Sequence, residues 1–202
     1  MPTASEILSG LSHLANTYAG FALFWHVVLW ALIVRLLWAG GPSNRFMALF
    51  GVSLLLSVSA LAWISGNPFN GSVFLLFAVL LSAFGFQVDT KPVSRSTGWV
   101  FITGTLLVVF GLVYPHFLET DSFLPYLYQA PVGLIPCPTL SVVTGFALIF
   151  KGYESRKWSL SLAVIGLFYG VFGVFKLGVT MDTVLLAGAL ALSVGALARY
   201  DH

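Results

Sequence analysis

Apolar runs and polar breaks alternate along the chain at close to the period of a membrane-spanning bundle. The runs cover residues 17–38, 46–64, 73–88, 97–114, 132–150, 160–175 and 183–198. A helix needs ~20 apolar residues to cross the hydrocarbon core, and most of the runs have about that length. The third is short, and prolines interrupt the fifth near its start. The pattern predicts seven transmembrane helices, one of them broken, in a single polytopic domain over residues 1–202.

Ahead of the first run the periodicity changes. Ile7, Leu8, Leu11, Leu14 and Ala15 fall on one helical stripe, and Thr3 and Glu6 have the spacing of a capping box. This predicts a short helix lying in the interface, with Glu6 and His13 on its wetter side. The linkers are brief, and Ser65-Gly66-Asn67-Pro68-Phe69-Asn70-Gly71 is dense in breaker residues. No internal repeat is visible, which counts against an inverted-repeat transporter.

Composition sharpens the class. Only 8% of residues are charged and 58% are hydrophobic, whereas a soluble domain carries roughly 25% charged residues. The chain is therefore expected to be an all-α integral membrane protein. A net charge of +2 gives no reason to expect nucleic acid as a partner. A lone cysteine allows no intrachain disulfide and no cysteine-cluster metal site. The N-terminus lacks the basic region of a signal peptide.

Charge placement gives direction. With seven spans, Arg35, Arg45, Lys91, Arg95, Lys151, Arg156, Lys157 and Arg199 share one side, and only Lys176 falls on the other. The positive-inside rule then puts the N-terminus outside and the C-terminus in the cytoplasm. A merely re-entrant fifth segment would scatter these charges across both faces. Small residues add a packing expectation. Gly166, Gly170 and Gly173 in span six, and Ala187, Ala191 and Gly195 in span seven, have the spacing that lets two helices approach closely.

Candidate chemistry gathers at the break. Residues 114–139 hold five of the nine prolines, the only cysteine and one of four histidines. Glu119 and Asp121 lie there with no lysine or arginine between Tyr114 and Phe150. Irregular backbone at membrane depth survives only where protein buries it or it lines a cavity. Proline favours the first helical turn, so Pro138 is a natural start with Cys137 as its cap. The N–H groups of Thr139, Leu140 and Ser141 would then be free, a setting for an anionic group. A thiol between prolines also suits a soft cation such as Cu(I). The alternative is that Pro136-Cys137-Pro138 is only an architectural kink.

Histidines extend the candidate set. His26 sits near the midplane of span one, where an ionisable group defaults to a functional hypothesis. Its bland alternative is a bond to a backbone carbonyl or to Ser53, Ser57, Thr103 or Thr105. His116, beside Glu119 and Asp121, could join Cys137 in holding a metal, or belong to a solvated outer loop. The ligand-binding candidates are thus Cys137, Pro138, Thr139, Ser141, His116, Glu119, Asp121 and His26, with Cys137 and His116 as the metal pair. Lys176 and Asp182 invite comparison with a retinal protein, but residues 183–198 contain no lysine for a Schiff base. No Ser-His-Asp set, Walker loop, H-E-x-x-H or paired intramembrane carboxylate supports catalysis, and no particular cofactor is indicated.

Tyr114-Pro115, Pro125-Tyr126 and Pro131-Val132-Gly133-Leu134-Ile135-Pro136-Cys137-Pro138-Thr139 resemble the Y-P…G-x-x-P-C-P-T-T signature of an uncharacterised bacterial multi-pass membrane family. Leu140 stands where a second threonine is usual, and Pro125-Tyr126 inverts the order. The resemblance implies a multi-pass helical fold in the bacterial inner membrane and no activity. Together these features favour a permease-like or solute- or metal-binding protein with an outward-facing site at the broken fifth span. Its partners would be the bilayer and a small solute or soft metal ion. The alternative is a non-transporting subunit that docks a membrane-protein partner through the apolar outer loop around Phe117, Leu118, Phe123, Leu124, Tyr126 and Leu127.

Overall fold

In lipid a single segment can satisfy its own backbone polar groups only as a helix, and the chain is built accordingly. A computed structural model describes residues 3–38 and 41–198; Arg199 and His202 lie outside the described residues. The elements are α1 (Ala4–Thr17), α2 (Ala19–Trp38), α3 (Asn44–Ile64), α4 (Pro68–Gly85), α5 (Gly98–Val113), the single turn α6 (Tyr126–Gln129), α7 (Pro136–Ile149), α8 (Arg156–Val171) and α9 (Thr183–Ala198). A wide π turn, Phe172–Lys176, extends α8, and a short 3-10 turn, Thr180–Asp182, leads into α9. No β-strand occurs among the described residues.

Five helical stretches are long and apolar enough to cross a membrane: Ala19–Leu37, Asn44–Ile64, Pro68–Gly85, Arg156–Lys176 and Thr180–Ala198. The protein is thus a multi-pass helical membrane protein. Helices α5 and α7 are apolar but shorter, at 16 and 14 residues. At 1.5 Å per residue they rise ~24 and ~21 Å.

Helix α7 is the axis. Every residue from Pro136 to Leu148 is buried, so its neighbours α3, α5, α8 and α9 enclose it on all sides. A helix apolar all round needs such surroundings. Its tightest neighbour is α5. A Cβ added at Gly104 would lie 2.7 Å from the Gly145 carbonyl oxygen, and one at Gly145 would lie 2.7 Å from that of Gly104. Gly111 stands equally close to the Pro138 carbonyl. Backbone meets backbone along this seam, where van der Waals contact replaces the absent hydrophobic drive.

The expected pairing of the last two long helices is present, through the predicted Gly166 and Gly170 of α8 but with different residues on α9. Gly170 rests on the Leu186 backbone and Gly166 on Ala189, each with 3.0 Å to a hypothetical Cβ. Ala187, part of the predicted stripe, is exposed, while Gly188 accommodates Leu107 of α5. The stripe is rotated because α9 must serve α5 and α7 as well as α8.

At one end of the bundle the connections carry the basic residues. The Arg45 backbone N–H donates to the Asp89 carbonyl and its Nε to that of Val88, while Arg95 reaches the Leu36 carbonyl. Ser96 donates to Leu148 and accepts from Lys151 N–H. The opposite end holds α1, the 65–70 turn, the long 114–135 connection and Lys176.

Two glycines test the central seam. Gly145→Ala should destabilise by about 1–3 kcal/mol through overpacking. Gly20→Ala, with nothing within 4 Å of its added Cβ, should leave stability unchanged or raise it by up to ~1 kcal/mol. Thermal unfolding in detergent measures both, and equal effects would contradict the packing described.

Candidate functional site

Four segments converge on one carboxyl group at the end opposite the basic connections. Pro115 stops α5, leaving Tyr114 fully buried with its O–H donating to Asp182 Oδ1 at 2.6 Å. Asp182 arrives from the other side. The chain leaves the π turn, reverses at Gly178 (φ +72°) and is pinned by the Val179 N–H to the Gly173 carbonyl at 2.9 Å. Gly173 lacks a side chain where the Asp182 Oδ2 atom sits, so the carboxyl packs against bare backbone. The Cys137 thiol, in the first turn of α7, lies close to Asp182. Asp182 is only 1% exposed, and no lysine or arginine pairs with it among the described residues.

Above this group lies a cavity of about 690 Å³. Ile7, Leu11 and Leu14 of α1 form one wall, and Leu134 to Cys137 form another. Tyr169, Phe172 and Asp182 close a third side, and Asn67 and Asn70 come from the 65–70 turn. Tyr169 donates to Asn70 Oδ1 at 2.9 Å. Exposed Glu6 and Lys176 also border the cavity.

Of the eight residues that sequence offered, Cys137 lines this cavity and the other seven do not. Helix α7 begins at Pro136 with Ile135 as its cap, earlier than expected, so Cys137 is inside the helix. Pro136 and Pro138 have no N–H to offer, which leaves Cys137 the only donor among the first three positions. The Thr139 N–H already points to the Ile135 carbonyl at 3.4 Å, and Leu140 and Ser141 lie in the second turn. The helix end is therefore largely satisfied and does not supply the three free donors of the anion model. The Thr139 hydroxyl donates to Ile135 O at 2.6 Å and accepts from Gly133 N–H at 2.8 Å. The Ser141 hydroxyl donates to Cys137 O at 2.9 Å, and Pro138 is buried against Gly111.

His26 is buried, facing the bundle as its depth implied, but its partners are backbone. Nδ1 lies 2.9 Å from Ala22 O and Nε2 3.0 Å from Leu112 O. The ring braces α2 against the end of α5 and is not directed to the cavity. Glu119 and Asp121 are exposed, and the Glu119 N–H is held by Asn16 Oδ1. His116 is half-buried, edge-on to Phe117 at 4.3 Å between ring centroids. No group of three His, Cys, Asp or Glu side chains that could hold a metal ion occurs among the described residues.

Sequence reasoning passed over Tyr114, Tyr169 and above all Asp182. The usable signal was an acid at the very start of the last apolar run, where a carboxylate is costly unless something receives it. Against known families, curated proteins and solved structures, the chain finds no match.

Burial holds the His116 imidazole below its ordinary value, with the Asp182 charge pulling weakly the other way. A lowered histidine favours folding above its unfolded value of ~6.5, and that contribution is lost as pH falls through the folded value. Between pH 7.5 and 5 the unfolding midpoint of the wild type should fall more steeply than that of His116→Gln. Parallel slopes would show that His116 is solvated in the native protein.

Proposed function

We propose that this is a permease-like or solute-binding protein of the bacterial inner membrane. It crosses seven times with the N-terminus outside, and α5 and α7 complete the count within a shell of longer helices. The fifth span is broken ahead of Pro136, and its start forms the floor of an outward-facing site. The supporting observation is the cavity of about 690 Å³ with Cys137 and Asp182 among its lining. Its volume falls in the range of small-molecule sites, and its walls are mainly apolar with a few converging polar groups. It also sits at the lysine-poor end of the bundle, the side that faces outward under the positive-inside rule. A small organic solute suits it better than a bare soft metal ion, because one thiol without two further ligands makes a weak metal site.

A second reading, a subunit that docks another protein, draws on Phe123, Leu124 and Leu127. These are 57%, 61% and 44% exposed in the outer connection. Phe117, by contrast, is turned inward and buried, which shortens the apolar surface available for docking.

Thiol chemistry in intact cells tests both the orientation and the cavity. In a Cys137→Ser background, Asn70→Cys and Asp121→Cys should label from the periplasm and Glu154→Cys only from the cytoplasm. Periplasmic labelling at 154 would overturn the seven-pass arrangement. In the wild type, Cys137 should react with methyl methanethiosulfonate and resist a bulky maleimide. A Cys137 inert to both would remove the outward-facing site and favour the docking alternative.

A further inference from the structure

The cavity's chemistry is more specific than its size. A carboxylate offers about four acceptor positions, and at Asp182 the Tyr114 hydroxyl occupies one of them, with the Cys137 thiol close by. The remaining capacity belongs to a group that is 1% exposed, lines the cavity and has no lysine or arginine paired with it among the described residues. His116 acts on it only when its imidazole is protonated, a form that burial disfavours. At the cavity's border Glu6 adds a negative charge and Lys176 a positive one, so the lining charges sum to a surplus of one carboxylate. Around them the walls are aliphatic and aromatic: Leu11, Leu14, Leu134, Ile135, Tyr169 and Phe172.

Resting on the solute-binding reading above, we infer that the ligand is an amphipathic amine, its ammonium received by Asp182 beside Tyr114 and its apolar body packed under α1. An isolated buried carboxylate is expensive unless a cation or donors compensate it. An ammonium brings three N–H donors and the missing charge, while a neutral solute brings at most donors without the charge and an anionic one adds a like charge. The aromatic walls favour the same class, because a cation is attracted to ring faces. The ammonium could be that of a free amine or of an aminophospholipid headgroup.

Isothermal titration of the intact protein in detergent, with three probes of one shape, tests the inference. The probes are 2-phenylethylamine, 2-phenylethanol and 3-phenylpropanoate. The amine should bind at least about tenfold more tightly than the alcohol, as a charge-assisted hydrogen bond implies, and the carboxylate most weakly. Asp182→Asn should erase the preference for the amine while leaving the alcohol unchanged. Should that variant fail to fold, the wild-type order of the probes still decides, and Lys176→Gln should strengthen amine binding severalfold by removing a like charge. Competition by phosphatidylethanolamine added to the micelles would extend the site to lipid headgroups, and its absence would restrict it to free amines. Equal binding of the three probes would overturn the amine assignment and leave the solute cavity standing. Absence of binding by any of them would overturn it as well, and the reactivity of Cys137 would then tell whether the cavity survives.

Discussion

Unpaired backbone is the constraint on which the structure turns. Between the end of α5 and the start of α7 the chain runs from Tyr114 to Ile135 with only one helical turn, α6. Its N–H and C=O groups cannot be left to lipid, so side chains of other elements take them. Ser12 and Asn16 of α1 both donate to the Phe117 carbonyl, and Asn16 Oδ1 accepts from Glu119 N–H. Ser57 of α3 donates to the Gly133 carbonyl and itself accepts from the Trp25 indole of α2. Each bond contributes only ~1 kcal/mol net, but leaving its partner buried and unsatisfied costs about 1–3 kcal/mol. The connection is thus welded to α1, α2 and α3, and α1 becomes a structural wall of the bundle.

That welding helps to hold open the cavity at this end of the bundle. The basic end is closed by short connections whose backbones bond one another directly, the Asn44 N–H donating to the Lys91 carbonyl and the Val93 N–H to that of Pro42. Helix α7 ends the comparison: it is buried along its length by glycine contacts with α5, yet it starts only at Pro136. Its lost first turn leaves room between α1, α3 and α8. Prolines at the first and third positions make that short start tolerable, because two of the donors a helix N-terminus would leave free are simply absent. Gly133, at φ +77°, lets the chain pass over the Trp25 ring where any side chain would collide.

Much of this was legible in the sequence, and the failures share one cause. Apolar run lengths located the helices to within a few residues, and the Thr3–Glu6 capping box is formed in both directions. The stripe from Ile7 to Ala15 does face inward, but its partner is the end of the bundle that holds the cavity. Periodicity reports that a face is apolar and is silent on what covers it. His26 was correctly placed indoors, and its neighbours are two main-chain carbonyls, the backbone option among those considered, and not the serine or threonine hydroxyls. The Cys137 cap and the free donors after it failed because the helix begins at the first proline of Pro-Cys-Pro. Asp182 was invisible as a site because its neighbours Tyr114, Cys137 and Gly173 lie 68, 45 and 9 residues away in sequence.

A carboxyl group in this position is poorly explained by folding alone. Asp182 occupies space that Gly173 has left open, and its partners Tyr114 and Cys137 come from the ends of two central helices. An amide of the same shape could accept the Tyr114 hydrogen without a buried charge, and an apolar side chain could fill the same volume. Replacing buried charges with packed apolar groups is often neutral or stabilising. Sequences that break such a local rule tend to do so where function requires it. The π turn just before it points the same way, since such bulges are frequent at functional sites. The chain keeps a buried acid, with no lysine or arginine partner among the described residues, where a roomy cavity meets the ends of its two central helices, and an ammonium ligand of the kind inferred above would supply the charge this place lacks.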